Sequence, residues 1–318
     1  MPRNMRAASV AGLSFGSAAI VLLLFTYTRA LHPAQPINDG KYLVEAVAIC
    51  FECHSERDYA NAGWPIPAGK AGDGRILWGE GTKDQLVAPN ITPDKETGIG
   101  TWSDVEIIRA IRDGVAPDGH RLSPEMPYMY FRSLSDGNLK SIVSYLRSIP
   151  PVFHQLPKNS PRVEQEPARA ILMDSLSLSR SDAKVLRGEF LVRIAGCETC
   201  HTPIRSGTFI KGLEFGGGTV FRHGKEMAAS SNLTSHESGI SYYDEHQFIE
   251  AMRTGKVGAR RLMSAMPWLF YRNMATEDLK SIFAYLRAVP PVHHKVDNTE
   301  PPTPCRLCGN QHGLGNRN

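Results

Sequence analysis

Two five-residue stretches carry side chains whose types and spacing allow a defined chemistry: Cys50-Phe51-Glu52-Cys53-His54 and Cys197-Glu198-Thr199-Cys200-His201. Two thiols separated by two residues and followed at once by an imidazole match covalent attachment of a c-type haem. The thiols add to the vinyl groups of a porphyrin, and the adjacent histidine is held beneath the iron as its proximal ligand. A single copy would also fit half of a zinc site, but two copies inside one longer repeat favour haem. The expectation is therefore two covalently bound haem c groups. Cys50, Cys53, Cys197 and Cys200 would tether them, with His54 and His201 as proximal ligands.

A six-coordinate electron-transfer haem needs a distal ligand, and a thioether there raises the potential. Ten methionines are available, and most methionines in a chain are core filler. The repeat selects among them. Met126-Pro127-Tyr128 aligns with Met266-Pro267-Trp268, whereas Met129 falls opposite Leu269 and Met263 opposite Ser123. Proline after each methionine favours an extended loop that presents the sulfur, so Met126 and Met266 are the predicted distal ligands. His120, His223, His236 and His246 lack histidine counterparts and are expected at the surface. His154 and His294 align, but beyond the last helix of each copy. Trp64, Trp78, Trp102, Tyr128, Tyr243 and Trp268 are expected to wall the pockets. Asn90, Asn232 and Arg75 are candidates for bonding a propionate, with a plain Asn turn as the alternative.

These residues must be positioned by a repeated framework. Leu43, Val44, Val47 and Ala48 fall on one helical face just before Cys50, and Leu191, Val192, Ile194 and Ala195 do so before Cys197. Asn90-Ile91-Thr92 recurs as Asn232-Leu233-Thr234. A middle helix is announced by Ser103 with Glu106 and by Asp244 with Gln247, each an N-cap pair, and is closed by Gly114 or Gly255. From Arg121 to Val152 the chain matches Arg261 to Val292 without a gap. That stretch ends in a helix with Leu139, Ile142, Val143 and Leu146 on one face, stopped by Pro150-Pro151.

The expected layout is an anchor or signal segment over 1–32, a spacer over 33–39, a first domain over 40–152, a linker over 153–185 with a short helix at Ala168–Leu176, a second domain over 186–295 and a flexible tail over 296–318. Between Ala7 and Thr28 the sequence has no charged residue, and roughly 20 apolar residues suffice to cross a bilayer. Arg3 and Arg6 in front would stay in the cytoplasm, sending the rest outward. A cleaved signal peptide is the competing expectation. Of the six cysteines, Cys305 and Cys308 lie outside both motifs and precede Gly309 rather than a histidine. Only His312 is near them as a further ligand, so they are expected to be an idle or oxidised pair. A formal charge of +4 over 318 residues, with acids and bases interspersed, gives no sign of nucleic-acid binding.

The run Asn90-Ile91-Thr92-Pro93-Asp94, then Thr97-Gly98-Ile99-Gly100-Thr101-Trp102-Ser103-Asp104, then Met126-Pro127-Tyr128 resembles the cytochrome c subunits of bacterial membrane-bound alcohol, gluconate and sugar dehydrogenases. That resemblance covers 40–152 and, more loosely, 186–292. It implies an all-α fold of two tandem class I cytochrome c domains, here behind an N-terminal transmembrane helix. It also implies a place at the bacterial inner membrane with both haem domains in the periplasm. Single electrons would pass from a dehydrogenase donor to a quinone, cytochrome or oxidase acceptor. Such subunits usually carry three haem modules, and this chain has two. The alternative is a dihaem redox enzyme, peroxidase-like or acting on a small sulfur compound, with one catalytic haem; a methionine in both copies argues against it.

Overall fold

Each repeat opens with a helix that breaks in the left-handed region immediately before its first motif cysteine. In the second repeat Asp182 caps the helix Ala183–Ile194, its carboxylate accepting from the Lys184 and Val185 amides. Gly196, at φ 66°, then turns the chain into Cys197–His201. The first repeat begins at Gly40–Tyr42 and continues as a π turn over Leu43–Val47. Here the left-handed position is held by Ile49 at φ 43°. A β-branched residue costs roughly 1–2 kcal/mol there, and the surrounding core must hold it in place. Leu43, Val44, Val47 and Ala48 are all buried. The computed structural model describes residues 39–159, 182–223, 226–313 and 315, all within one compact unit, Pro33–Asn318.

The opening helix crosses the closing helix of its own repeat at backbone contact. A Cβ on Gly40 would fall 1.9 Å from the Ser141 carbonyl oxygen, and one on Gly188 would fall 1.9 Å from that of Ser281. The closing helices span Asp136–Ser148 and Thr276–Ala288, with Leu139, Ile142, Val143 and Leu146 buried in the first and Leu279, Ile282, Phe283 and Leu286 in the second. The middle helices, Asp104–Asp113 and Glu245–Thr254, both start with complete capping boxes and end at glycines with φ 65°.

The all-α expectation is corrected by five two-stranded antiparallel sheets among the described residues. Arg75–Trp78 pairs with Leu86–Ala88 in the first half, and Val220–His223 pairs with Glu226–Ala229 in the second. Ile76, Trp78 and Val87, or Val220 and Phe221, suit a pleated surface. Each strand is only three or four residues long, too short to show a period of two in the sequence. The expected membrane-spanning helix is also not supported: among the described residues no helix is long and apolar enough to cross a membrane. The stretch 7–28 and the predicted helix at 168–176 lie outside the described residues.

The repeat extends past Val152 and Val292, because Asn159 and Asn298 each bridge the N–H and C=O of a hairpin residue, Val87 or Ala229. The expected flexible tail contains a hairpin of Thr303–Pro304 with Gln311–His312. Arg205 donates to the Leu307 carbonyl at 2.8 Å and Asn310 to that of Gly218 at 2.9 Å, holding this hairpin on the second half.

The two halves meet reciprocally. The short helix after Met126-Pro127, Tyr128–Phe131, packs on Ala183–Ile194, and its counterpart Trp268–Tyr271 packs on Leu43–Val47. Polar contacts reinforce this: the Ser264 hydroxyl accepts from Gly63 N–H at 2.9 Å, and the Arg57 guanidinium lies 4.6 Å from the Phe270 ring centre. His223 stacks on Tyr59 and tilts against Trp64.

Candidate functional site

Between the two halves lies one continuous, partly open cavity of about 1820 Å³, lined from the first half by Cys50, Cys53, His54 and Met126 and from the second by Cys197, Cys200, His201 and Met266. All eight residues predicted from the sequence thus face the same space. Single ligand pockets run to roughly 300–1,000 Å³, so this volume accommodates two groups of that size.

The histidines are set by the loops opposite them. His54 Nδ1–H donates to the Pro89 carbonyl at 2.7 Å, and His201 Nδ1–H donates to that of Ser231 at 2.8 Å. Each bond fixes the tautomer and leaves Nε2 available as a ligand. Burial is the main cause that lowers both imidazole pKa values, keeping the rings neutral and able to coordinate. The carbonyls are themselves anchored by the residue that follows. Asn90 Oδ1 accepts from Thr92 N–H at 2.9 Å and Thr92 Oγ1–H at 2.7 Å, while its amide donates to Val152 O at 2.7 Å. Asn232 repeats this with Thr234 and Val292. Of the two roles considered for these asparagines, the structure shows the turn.

Burial pushes the Cys50 and Cys197 thiols up to about 12 and that of Cys53 up to about 11. They are neutral at physiological pH, and two apolar-walled thiols beside a neutral imidazole fit a covalently held porphyrin. Arg75 donates to the Glu52 carbonyl and to the Tyr59 hydroxyl, bracing the first motif from outside.

Each methionine is presented by a turn, with Met126 N–H bonded to Ser123 O and Met266 N–H to Met263 O. The aromatic two residues on locks the loop. Tyr128 packs against Gly114, where an added Cβ would lie 2.4 Å from the ring, and Trp268 packs against Gly255 at the same separation. Of the six aromatic residues predicted to wall the pockets, Trp102, Tyr128 and Tyr243 line the cavity. Trp64 instead packs against Tyr59 and His223, Trp78 is exposed, and Trp268 covers Gly255. His120, expected at the surface, is exposed and also lines the cavity rim.

Tyr271 was missed. It is buried, its hydroxyl donates to the Ala195 carbonyl at 2.6 Å, and it lines the cavity. Burial raises its pKa, with further contributions from the thiols of Cys197 and Cys200 and then from Glu52 and Cys53. Its place opposite Phe131 in the repeat was the available signal. His154 and His294 brace loops, each donating from Nδ1 to a backbone carbonyl, Asp73 or Gly216. His294 also meets Cys305 at 3.3 Å.

No family model matches the sequence. Curated relatives do. The cytochrome c subunit of the quinone alcohol dehydrogenase of Gluconobacter oxydans is 27% identical over 277 residues, covering 80% of this chain and 55% of that one. The cytochrome subunit of fructose dehydrogenase from Gluconobacter japonicus is 26% identical over 310 residues, covering 85% and 58%. A dihaem c-type cytochrome of Cereibacter sphaeroides is 24% identical over 257 residues, covering 76% and 82%. The chain spans little more than half the length of the two dehydrogenase subunits. At this modest identity, the relatives support the resemblance carried by Asn90–Asp94, Thr97–Asp104 and Met126–Tyr128: the chain is similar to cytochrome c subunits of dehydrogenases and to a dihaem cytochrome c.

Proposed function

We propose that this chain is a dihaem c-type cytochrome that relays single electrons from a dehydrogenase to a quinone, cytochrome or oxidase acceptor on the periplasmic side of the bacterial inner membrane. Cys50 and Cys53 would tether one haem, with His54 and Met126 as axial ligands. Cys197 and Cys200 would tether the other, with His201 and Met266. Bound there, the haem irons supply one-electron chemistry whose potential depends on the axial ligands and their surroundings.

The observation that carries this reading is the convergence of two His/Met/Cys-Cys sets, each with its histidine tautomer fixed by a carbonyl, on one shared cavity. The chain's own residues then have separable tasks. The thiols would hold the groups in place, the Pro89 and Ser231 carbonyls raise the basicity of the histidines, and the methionines would complete the iron ligation and keep substrates off. Buried walls such as Phe131, Leu146, Ile240 and Phe248 exclude water. Because both residue sets line one cavity, electrons would pass between the two groups within the chain. Export from the cytoplasm accords with the thioether attachment chemistry. The relatives' names support a dehydrogenase as donor.

The test is an anaerobic reductive titration of protein matured with haem, followed by carbon monoxide. Uptake of two electrons per chain, a mass gain of two haems and no carbon monoxide adduct are expected. A five-coordinate reduced haem that binds carbon monoxide would favour the enzyme reading and overturn the carrier assignment for that half.

A further inference from the structure

We infer that His294, Cys305, Cys308 and His312 form a structural binding site for a zinc-class divalent cation, separate from the haem-type cavity. Their ligand atoms all lie within 4.8 Å of one another. His294 Nε2 is 3.3 Å from Cys305 Sγ, and His312 Nε2 is 3.1 Å from Cys308 Sγ. Around a tetrahedral zinc, with sulfur at about 2.3 Å and nitrogen at about 2.0 Å, neighbouring ligands stand roughly 3.3–3.8 Å apart. The four atoms therefore need only small shifts to close on an ion. Two thiolates and two imidazoles select zinc over magnesium or calcium, which take oxygen. Binding releases the two thiol protons, so the dication is balanced by two sulfur charges.

Several independent features shape the set. His294 Nδ1–H donates to Gly216 O at 2.9 Å, and His312 Nδ1–H donates to Lys295 O at 3.2 Å. Both rings thereby turn Nε2 towards the sulfurs, the same outer support that the motif histidines receive. The cysteines sit in a tight turn, with Gly309 N–H bonded to Cys305 O and Cys305 N–H to Asn310 O. Asn310 N–H points at Cys308 Sγ from 3.4 Å. The backbone of Gly218 leaves room for both imidazoles, since a Cβ there would lie 2.7 Å from His294 and 2.8 Å from His312. His294, Cys308 and His312 are buried.

The first half supplies a built-in comparison. His154 occupies the place of His294 and makes the same kind of carbonyl bond, to Asp73 at 3.0 Å, but Gln165 and Ala168 stand where Cys305 and Cys308 would be. The site would act as a clasp for the strap after the last helix. That strap carries Asn298, which bridges Ala229, two residues before the Ser231 carbonyl that orients His201.

The test uses the full haem-bearing chain, equilibrated with zinc sulfate and dialysed, with zinc and iron quantified and zinc K-edge absorption recorded. One zinc per chain with a two-sulfur, two-nitrogen shell is expected. The double variant Cys305→Ser with Cys308→Ser should lose the zinc at unchanged iron content, whereas His154→Gln should keep it. Should the double variant fail to accumulate, chelation of the wild-type protein should speed proteolysis of the tail, and added zinc should reverse this. A zinc-free wild type, an oxygen and nitrogen shell, zinc retained by the double variant, proteolysis indifferent to chelation, or a mass showing a Cys305–Cys308 disulfide would each overturn the proposal.

Discussion

The Tyr42 hydroxyl, from the opening helix of the first half, donates to Asp278 Oδ2 in the closing helix of the second at 2.7 Å and accepts from Ala275 N–H at 2.9 Å. Asp278 is held in turn by a forked pair with Arg187, both contacts at 2.9 Å. One phenol therefore ties two framework helices across the seam of the cavity. Replacement by phenylalanine leaves the Ala275 amide and one carboxylate lone pair without this partner, at a cost of about 1–2 kcal/mol. Tyr42→Phe should lower the thermal midpoint by a few degrees with haem content unchanged.

The crossings at Gly40 and Gly188 admit no side chain. A methyl group must push the Ser141 or Ser281 backbone away, and overpacking of this kind typically costs 1–3 kcal/mol. Gly40→Ala and Gly188→Ala should each destabilise the chain, and the double variant should lose more than either. Equal midpoints for wild type and variants in differential scanning calorimetry would show that the crossing is looser than described.

At Gly114 and Gly255 a methyl group meets both a ring and a backbone at positive φ. The displaced ring would be Tyr128 or Trp268, two residues from a methionine. Gly114→Ala should therefore loosen Met126 alone, and Gly255→Ala Met266 alone. The check is carbon monoxide binding to the reduced protein, expected at one haem per variant and absent in the wild type.

Asn90→Ala removes the acceptor for Thr92 and the donor to Val152, freeing the loop whose Pro89 carbonyl takes the His54 proton. A weaker bond to Nδ1 makes the histidine less electron-donating, which disfavours the ferric state. Spectropotentiometric titration should show one midpoint potential raised and the other unmoved, with Asn232→Ala shifting the opposite one.

The motif, the capping boxes and the repeated Met-Pro pair were legible because each is local chemistry at fixed spacing, and the repeat supplied a second copy of each. The hairpins were not, since strands as short as Leu86–Ala88 carry too little periodicity to register. Nor was the seam: nothing in the sequence near Tyr42 announces Asp278. The Cys305–Cys308 pair looked short of ligands because His294 reaches it only through the fold, after the strap has turned back past Gly218. Tyr271 was visible as an aromatic opposite Phe131, but its place on the cavity wall depends on the fold.

The account stands most directly on Met126 and Met266. The near-infrared spectrum of the fully oxidised protein should show the weak sulfur-to-iron charge-transfer band at the intensity of two haems. Met126→Leu and Met266→Leu should each remove half of it, and the double variant all of it. A wild-type band of single-haem intensity, or one that survives either substitution undiminished, would contradict the assignment of two closed, electron-carrying centres.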